Sequence, residues 1–413
     1  MTYGYDGGPQ LLDDLEKYFD TPEHAAFAIQ MITNPHWDRE ERQAKRKSES
    51  VDEVQRSYLR IKHQLERHSH LLRSETGANA LALLGMRTAL RMGDPPAAQK
   101  IAAMVPDGAA IRAEPDFDWM LASAYFLSRE YAAAEEPLLK LFHSARSSRS
   151  QKAAAAYALC GVYQKNRNVV QQIRYALWLR AGGDGNPWNL TYSSGILDQS
   201  VYFSYSGWDL DVLLDAEASI DELRSFLKEY PNVRDVRIVK YSLAVRLARE
   251  NLYEEAAQIY ESINVNRRAL RMRKLAALYL ETNRTGLSAE QVQEAKYRMA
   301  EYISANPDRI YFNDAIWNGF QRYALSGSSD VRLTRVERQT LMESERKLKD
   351  DQEERWRAYL ILREVVQEAG KTDLGRRAAL LAVECLRGIN DRFERQDEIH
   401  KADTELSNWL RIH

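Results

Sequence analysis

Four carboxylates, Asp184, Asp198, Asp209 and Asp211, stand in or beside a stretch crowded with aromatic side chains, AGGDGNPWNLTYSSGILDQSVYFSYSGWDL from Ala181 to Leu210. Paired carboxylates next to tryptophan and tyrosine can cleave a glycosidic bond, one protonating the leaving oxygen while the other attacks or activates water. Asp209 and Asp211 also sit where the next helix is expected to begin, and an aspartate there favours the positive end of the helix dipole. We take the capping role. His63, His68 and His70 cluster at one expected helix end, and His63 and His70 share a face that a metal could touch. Arg67 and Arg73 repel a cation, so an exposed polar helix end is expected. The basic run from Arg267 to Lys274 aligns Arg267, Arg271 and Lys274 on one helix face, read as solvated. There is no phosphate-cradling glycine loop, no GxSxG elbow and no HExxH. The expectation is a non-catalytic chain without metal or cofactor, with a polysaccharide-acting α/α-toroid enzyme as the alternative.

These residues hang on a chain of 413 residues with 44% hydrophobic and 29% charged residues, which suits a folded protein with many solvated helix faces. A formal net charge of −2 supplies no global field for nucleic acid or an anionic membrane. Two cysteines, Cys160 and Cys385, are too few for a disulfide framework and read as buried free thiols. No stretch reaches the ~18 consecutive apolar residues of a membrane span. The first residues, Met1 to Gly8, carry neither a basic nor an apolar leader region. The compartment stays open between cytoplasm and, with a signal removed, a bacterial periplasm or cell envelope.

The elements are helices, and one helix-pair pattern recurs. Its clearest copy has Trp119, Leu121, Ala122 and Tyr125, then Tyr131, Ala134 and Leu138. Leu159, Cys160 and Tyr163 repeat its first half. Leu243, Ala244, Leu247, Tyr253, Ala256 and Tyr260 repeat the whole, and Leu275, Ala276, Tyr279, Ala295, Met299, Tyr302 and Pro307 follow. Small residues let two helix backbones approach while large ones fill the gap beside them. One such pair cannot bury its own apolar face, so copies must stack. A charged helix is expected from about Leu333 to Ala369, then two more near Asp373–Arg387 and Asp391–Ile412. The boundaries expected are a helical lead and cap over 1–77, a repeat array over 78–310 with an aromatic insertion at 181–212, and a C-terminal extension over 311–413.

In its order of large, small, aromatic, alanine, large and closing proline, the pattern resembles the tetratricopeptide repeat family. The segment FLKEYP, Phe226 to Pro231, is similar to repeat ends in bacterial outer-membrane assembly lipoproteins of that type. The resemblance implies an all-α, right-handed α-α superhelix whose first helices line a concave groove. Carried over by position, the groove takes Trp119, Ser123 and Phe126, then Tyr157, Gly161 and Gln164, then Tyr241, Val245 and Ala248, then Arg273, Ala277 and Leu280. The family's peptide-carboxylate clamp places asparagine where this chain has Ser123, Gly161, Val245 and Ala277, so that ligand class is not expected. Aromatic groove walls suit a protein or peptide partner. The partner-binding candidates are therefore Trp119, Phe126, Tyr157, Tyr241 and Arg273, with Trp188, Tyr192, Tyr202, Tyr205 and Trp208 from the insertion. The implied function is a scaffold within a bacterial multi-protein assembly. A purely structural spacer subunit is the third reading.

Overall fold

Asp94 and the prolines behind it start the first helix. The Asp94 carboxylate accepts from the Ala97 amide at 3.2 Å, and prolines occupy the opening positions, where no amide is missed. The computed structural model describes residues 93–181, 209–307, 309–317, 352–389 and 396–412, with isolated positions 73, 78, 82, 83, 85–87, 89, 90 and 339. Among them every regular element is helical. The chain forms two compact units, Met1–Ser206 and Gly207–His413, and the division falls inside the stretch 181–212.

The first unit contains α1 (Pro95–Met104), a 3-10 turn (Ala110–Ala113), α2 (Pro115–Leu127), α3 (Tyr131–His143), α4 (Arg149–Lys165) and α5 (Val169–Ala181). Each helix packs on the one before and the one after, and α2 also reaches α4. Ser148 opens α4 with a capping box, its hydroxyl accepting from the Gln151 amide while the Gln151 side chain accepts from the Ser148 amide.

In the second unit, α6 (Asp209–Val212) runs into a π turn (Leu213–Glu217). Then come α7 (Ile220–Glu229), α8 (Val236–Arg249), α9 (Tyr253–Ser262), α10 (Asn266–Thr282) and α11 (Ala289–Ser304), and after them α12 (Glu354–Ala369), α13 (Asp373–Arg387) and α14 (Gln396–Ile412). From α7 to α14 every helix packs on its neighbours in chain order, and α11 touches α13 as well. Capping boxes at Ser219 and Ser288 start α7 and α11. Among the described residues no helix is long and apolar enough to cross a membrane.

Four of the helix connections share one turn. Arg129, Arg167, Asn251 and Asn264 take positive φ of 64°, 54°, 62° and 59°. The residue after each sends its amide back to the carbonyl five positions earlier: Glu130 to Tyr125 and Asn168 to Tyr163, both at 2.9 Å, then Leu252 to Leu247 at 2.9 Å and Val265 to Tyr260 at 2.8 Å. This left-handed closure satisfies a helix-end carbonyl and reverses the chain within a few residues. Recurrence of one turn in both units is local geometry matching the recurrent sequence pattern.

Most pattern residues are in the core. Ala122, Ala134, Leu138, Leu159, Cys160, Ala244, Leu247, Ala256 and Tyr260 are fully buried. Tyr125, Tyr131 and Ala276 are half-buried and Tyr279 is exposed, so the pattern does not predict burial at every position. Both cysteines are free and buried, and burial pushes the Cys385 thiol up to about 11, which suppresses the reactive thiolate. The continuous charged helix expected over 333–369 is interrupted: Glu353 is extended at φ −86°, ψ 100°, and α12 begins at Glu354. The side chains on either side of that break, Gln352 and Glu354, are buried in tertiary hydrogen bonds, which outweigh helix propensity.

Among the described residues, Asp118 in α2 is the carboxylate that burial raises clearly. Desolvation raises it to about 6, Glu136 on α3 adds to the rise, and Lys140 and Arg112 oppose it. An acid raised in the folded state holds its proton more tightly there. Its stabilising effect is therefore complete below about pH 4 and lost as pH rises through about 6. A full two-unit shift corresponds to ~3 kcal/mol; screening on the solvent side of this half-buried group leaves about 1 kcal/mol. Asp118→Asn is expected to be more stable than the parent at pH 7.5 by about 1 kcal/mol. Urea midpoints should converge near pH 4; equal midpoints at pH 7.5 would contradict the assignment.

Candidate partner-binding surfaces

In the first unit, alanine, serine and glycine draw the candidate residues of α2 and α4 together. Trp119 is buried, and Ser123, buried beneath it, returns its hydroxyl to the Trp119 carbonyl at 2.8 Å. Phe126 is half-buried, edge-on to Tyr131 at 5.1 Å between centroids. Its ring lies 3.8 Å from where a Cβ on Gly161 would stand, so the glycine leaves the ring room beside α4. Tyr157, on the same helix, is half-buried. Trp119 thus belongs to the interior, while Phe126 and Tyr157 keep part of their surface in solvent.

In the second unit the candidates part ways. Arg273 is exposed and held by α9, with Glu254 at 2.7 Å and Glu261 at 2.8 Å. Tyr241, Val245 and Ala248 on α8 are buried. What reaches Tyr241 is the chain itself: residues 309–317, between α11 and α12, lie along α8. The Asp314 carboxylate accepts from the Tyr241 hydroxyl, Asn313 Nδ2 donates to Ser242 Oγ at 3.0 Å, and Arg249 Nε and Nη2 donate to the Tyr311 carbonyl at 3.0 and 2.9 Å. Residue 314 therefore meets the start of α8 and residue 311 its end, so the segment runs antiparallel to the helix. Ile310, Tyr311, Phe312, Asn313, Ile316 and Trp317 are all buried.

Main-chain groups of this segment are gripped by charged side chains. Glu354, on α12, accepts from the amides of Ile310 and Tyr311 at 3.2 and 3.1 Å. Arg357 lies over the Tyr311 ring at 4.3 Å, and the Tyr311 hydroxyl meets that of Tyr253 at 2.9 Å. Arg268, buried on α10 against the rings of Tyr241 and Tyr260, pairs with Asp314 at 3.0 Å. Arg268, not Arg273, is the α10 arginine that reaches the segment.

Beneath the segment, in the π turn, is Asp215, 0% exposed. Arg249 Nη2 donates to both its oxygens at 2.9 and 3.2 Å, Asn313 Nδ2 to Oδ1 at 3.1 Å, and Trp317 Nε1 and Gln352 Nε2 to Oδ2 at 2.8 and 2.6 Å. Its own carbonyl accepts from Arg246 and Arg249 at 2.7 and 2.9 Å. A carboxylate has about four lone-pair positions. Those of Asp215 are taken by protein donors, so it anchors the segment and has none left for a substrate.

No family model, curated protein or solved structure matches the chain. Its local geometry is what bears on function.

The insertion residues Trp188, Tyr192, Tyr202, Tyr205 and Trp208 lie outside the described residues, as do His63, His68, His70, Asp184 and Asp198. The backbone of Asp209 begins α6, and that of Asp211 lies within it. Among the described residues no group of three or more His, Cys, Asp or Glu is placed to hold a metal ion. The residues that position the segment, Asp215, Arg249, Arg268 and Glu354, carry no motif.

Proposed function

We propose that the chain is a tetratricopeptide-type, right-handed helical solenoid acting as a non-catalytic scaffold for an extended protein or peptide partner. The observation that carries this reading is the seating of residues 309–317. Helices of the second unit hold an irregular stretch of polypeptide through its main chain, with Arg249 on a carbonyl and Glu354 on two amides. Main-chain grips of this kind give affinity without fixing the peptide's side chains. Neighbour-on-neighbour packing and the repeated left-handed turn support the solenoid. The saturated Asp215 supports a positional, not chemical, use of the buried carboxylate.

The aromatic insertion supplies the outward contact in this reading, with Trp188 and Trp208 as anchors. The paired change Trp188→Ala and Trp208→Ala is expected to lower recovery of the co-purifying protein by about tenfold or more, with unchanged circular dichroism. Quantitative pull-down from the native host measures it; recovery equal to the parent's would remove the insertion from the interface. Glycan turnover abolished by Asp198→Asn would replace the scaffold by the enzyme.

A further inference from the structure

The second unit holds its own peptide, and the manner of holding points to a regulated site. We propose that residues 309–317 form a strap that occupies the α8 face in place of a partner peptide of the same bent backbone and is displaced by one. This rests on reading these helices as a partner-binding surface.

Three observations carry it. First, the strap is not one of the helices: α8 packs on α7, α9 and the π turn as well as on the strap. Second, its main chain is held by side chains, at the Tyr311 carbonyl and at the Ile310 and Tyr311 amides. A peptide that bends as the strap does, turning two successive amides toward one carboxylate oxygen, satisfies those grips. Third, its side chains are read at separate points. Asp314 meets Tyr241 and buried Arg268, Asn313 meets Ser242 and Asp215, and the Tyr311 ring lies under Arg357. The competitor is therefore a bent peptide with an aromatic residue, an asparagine two positions on and an aspartate after that.

The chemistry favours a competitor, because release would take Asp314 away from buried Arg268, while Arg249 keeps Asp215 of the π turn. Exchange of one peptide for another keeps a carboxylate beside Arg268; spontaneous release does not. The free strap is therefore a minor species that a competing peptide populates.

Native-state hydrogen exchange on the full chain tests the opening. The amides of Ile310 and Tyr311 are expected to exchange at least tenfold faster than those of Ala244 to Leu247 within α8. Exchange in step with α8 would mean that the strap leaves only when the unit unfolds, and would overturn the proposal. A labelled peptide of residues 309–317 then tests displacement. Asp314→Ala in the chain weakens the resident strap, and this variant is expected to bind the unaltered peptide at least tenfold more tightly than the parent does. Rapid exchange without peptide binding to a folded Asp314→Ala chain overturns displacement. If that variant does not fold, Phe312→Leu with the same peptide replaces it, and the exchange rates of the parent still decide the opening. Neither measurement depends on the Trp188 and Trp208 pull-down, so the strap and the scaffold can fail separately.

Discussion

Asp215→Ala is expected to destabilise the second unit by about 3–5 kcal/mol, the usual cost of removing one partner from a buried ion pair. Without the carboxylate, Arg249 keeps its charge in the interior, and the side-chain donors of Asn313, Trp317 and Gln352 lose their shared acceptor. Each donor left unsatisfied costs about 1–3 kcal/mol. The total stays below the sum because the cavity relaxes and water enters. Asp215→Asn keeps the shape and one acceptor oxygen but sets its amide against the donors of Arg249, so it should fall between the two. Urea unfolding monitored by tryptophan fluorescence reads the effect, since Trp317 is in the cluster. An alanine variant within about 1 kcal/mol of the parent would show that water replaces the carboxylate and that the node is not what fixes the strap.

Phe117→Ala is expected to cost about 3–5 kcal/mol in the first unit. The ring is 1% exposed and packs in the core built by α1, the 3-10 turn and α2. It also carries Arg112, whose guanidinium lies 5.5 Å from the ring centroid. That arginine donates to the carbonyls of Ala102, Val105 and Pro106 at 3.3, 2.7 and 3.1 Å, closing the C-terminal end of α1. Loss of the ring therefore creates a cavity and loosens a helix cap at once. Phe117→Leu, which keeps most of the volume, should cost less than half as much. Thermal unfolding of both variants separates the terms; equal midpoints for alanine and leucine would mean that the ring's contact with Arg112, not its volume, dominates.

The helical architecture was legible because it depends on short-range pattern. Ala122, Cys160, Ala244 and Ala256 mark close helix approaches, and all four are fully buried. Ser219 followed by Glu222 is a helix start that three residues suffice to specify. The α13 boundaries, Asp373 and Arg387, follow from Thr372 as a cap and from a strong apolar stripe. What escaped the sequence was long-range and polar. The strap reads as a loop after Pro307, and nothing in Ile310-Tyr311-Phe312-Asn313-Asp314 says that it will be buried against α8. Arg249 and Asp215 have the composition of solvated helix residues; they are buried because each is the other's partner across 34 positions. Glu353 breaks a helix that local propensity would continue, because Gln352 and Glu354 on either side of it have partners elsewhere. Periodicity sees one helix at a time, and these contacts belong to several.

The node also bears on how the polypeptide is made. Gln352 reaches Asp215 across 137 positions. At roughly 5–20 residues per second, a ribosome needs on the order of ten seconds or more to deliver the second after the first. The early hairpins of this half can form as they emerge, since their turns are local. Its aspartate and arginine must meanwhile stay hydrated, and α8 must stay bare. The last hairpins to be translated thus complete the earlier ones, and a nascent chain stalled before residue 352 is an unfinished, sticky species that a cell would have to shelter.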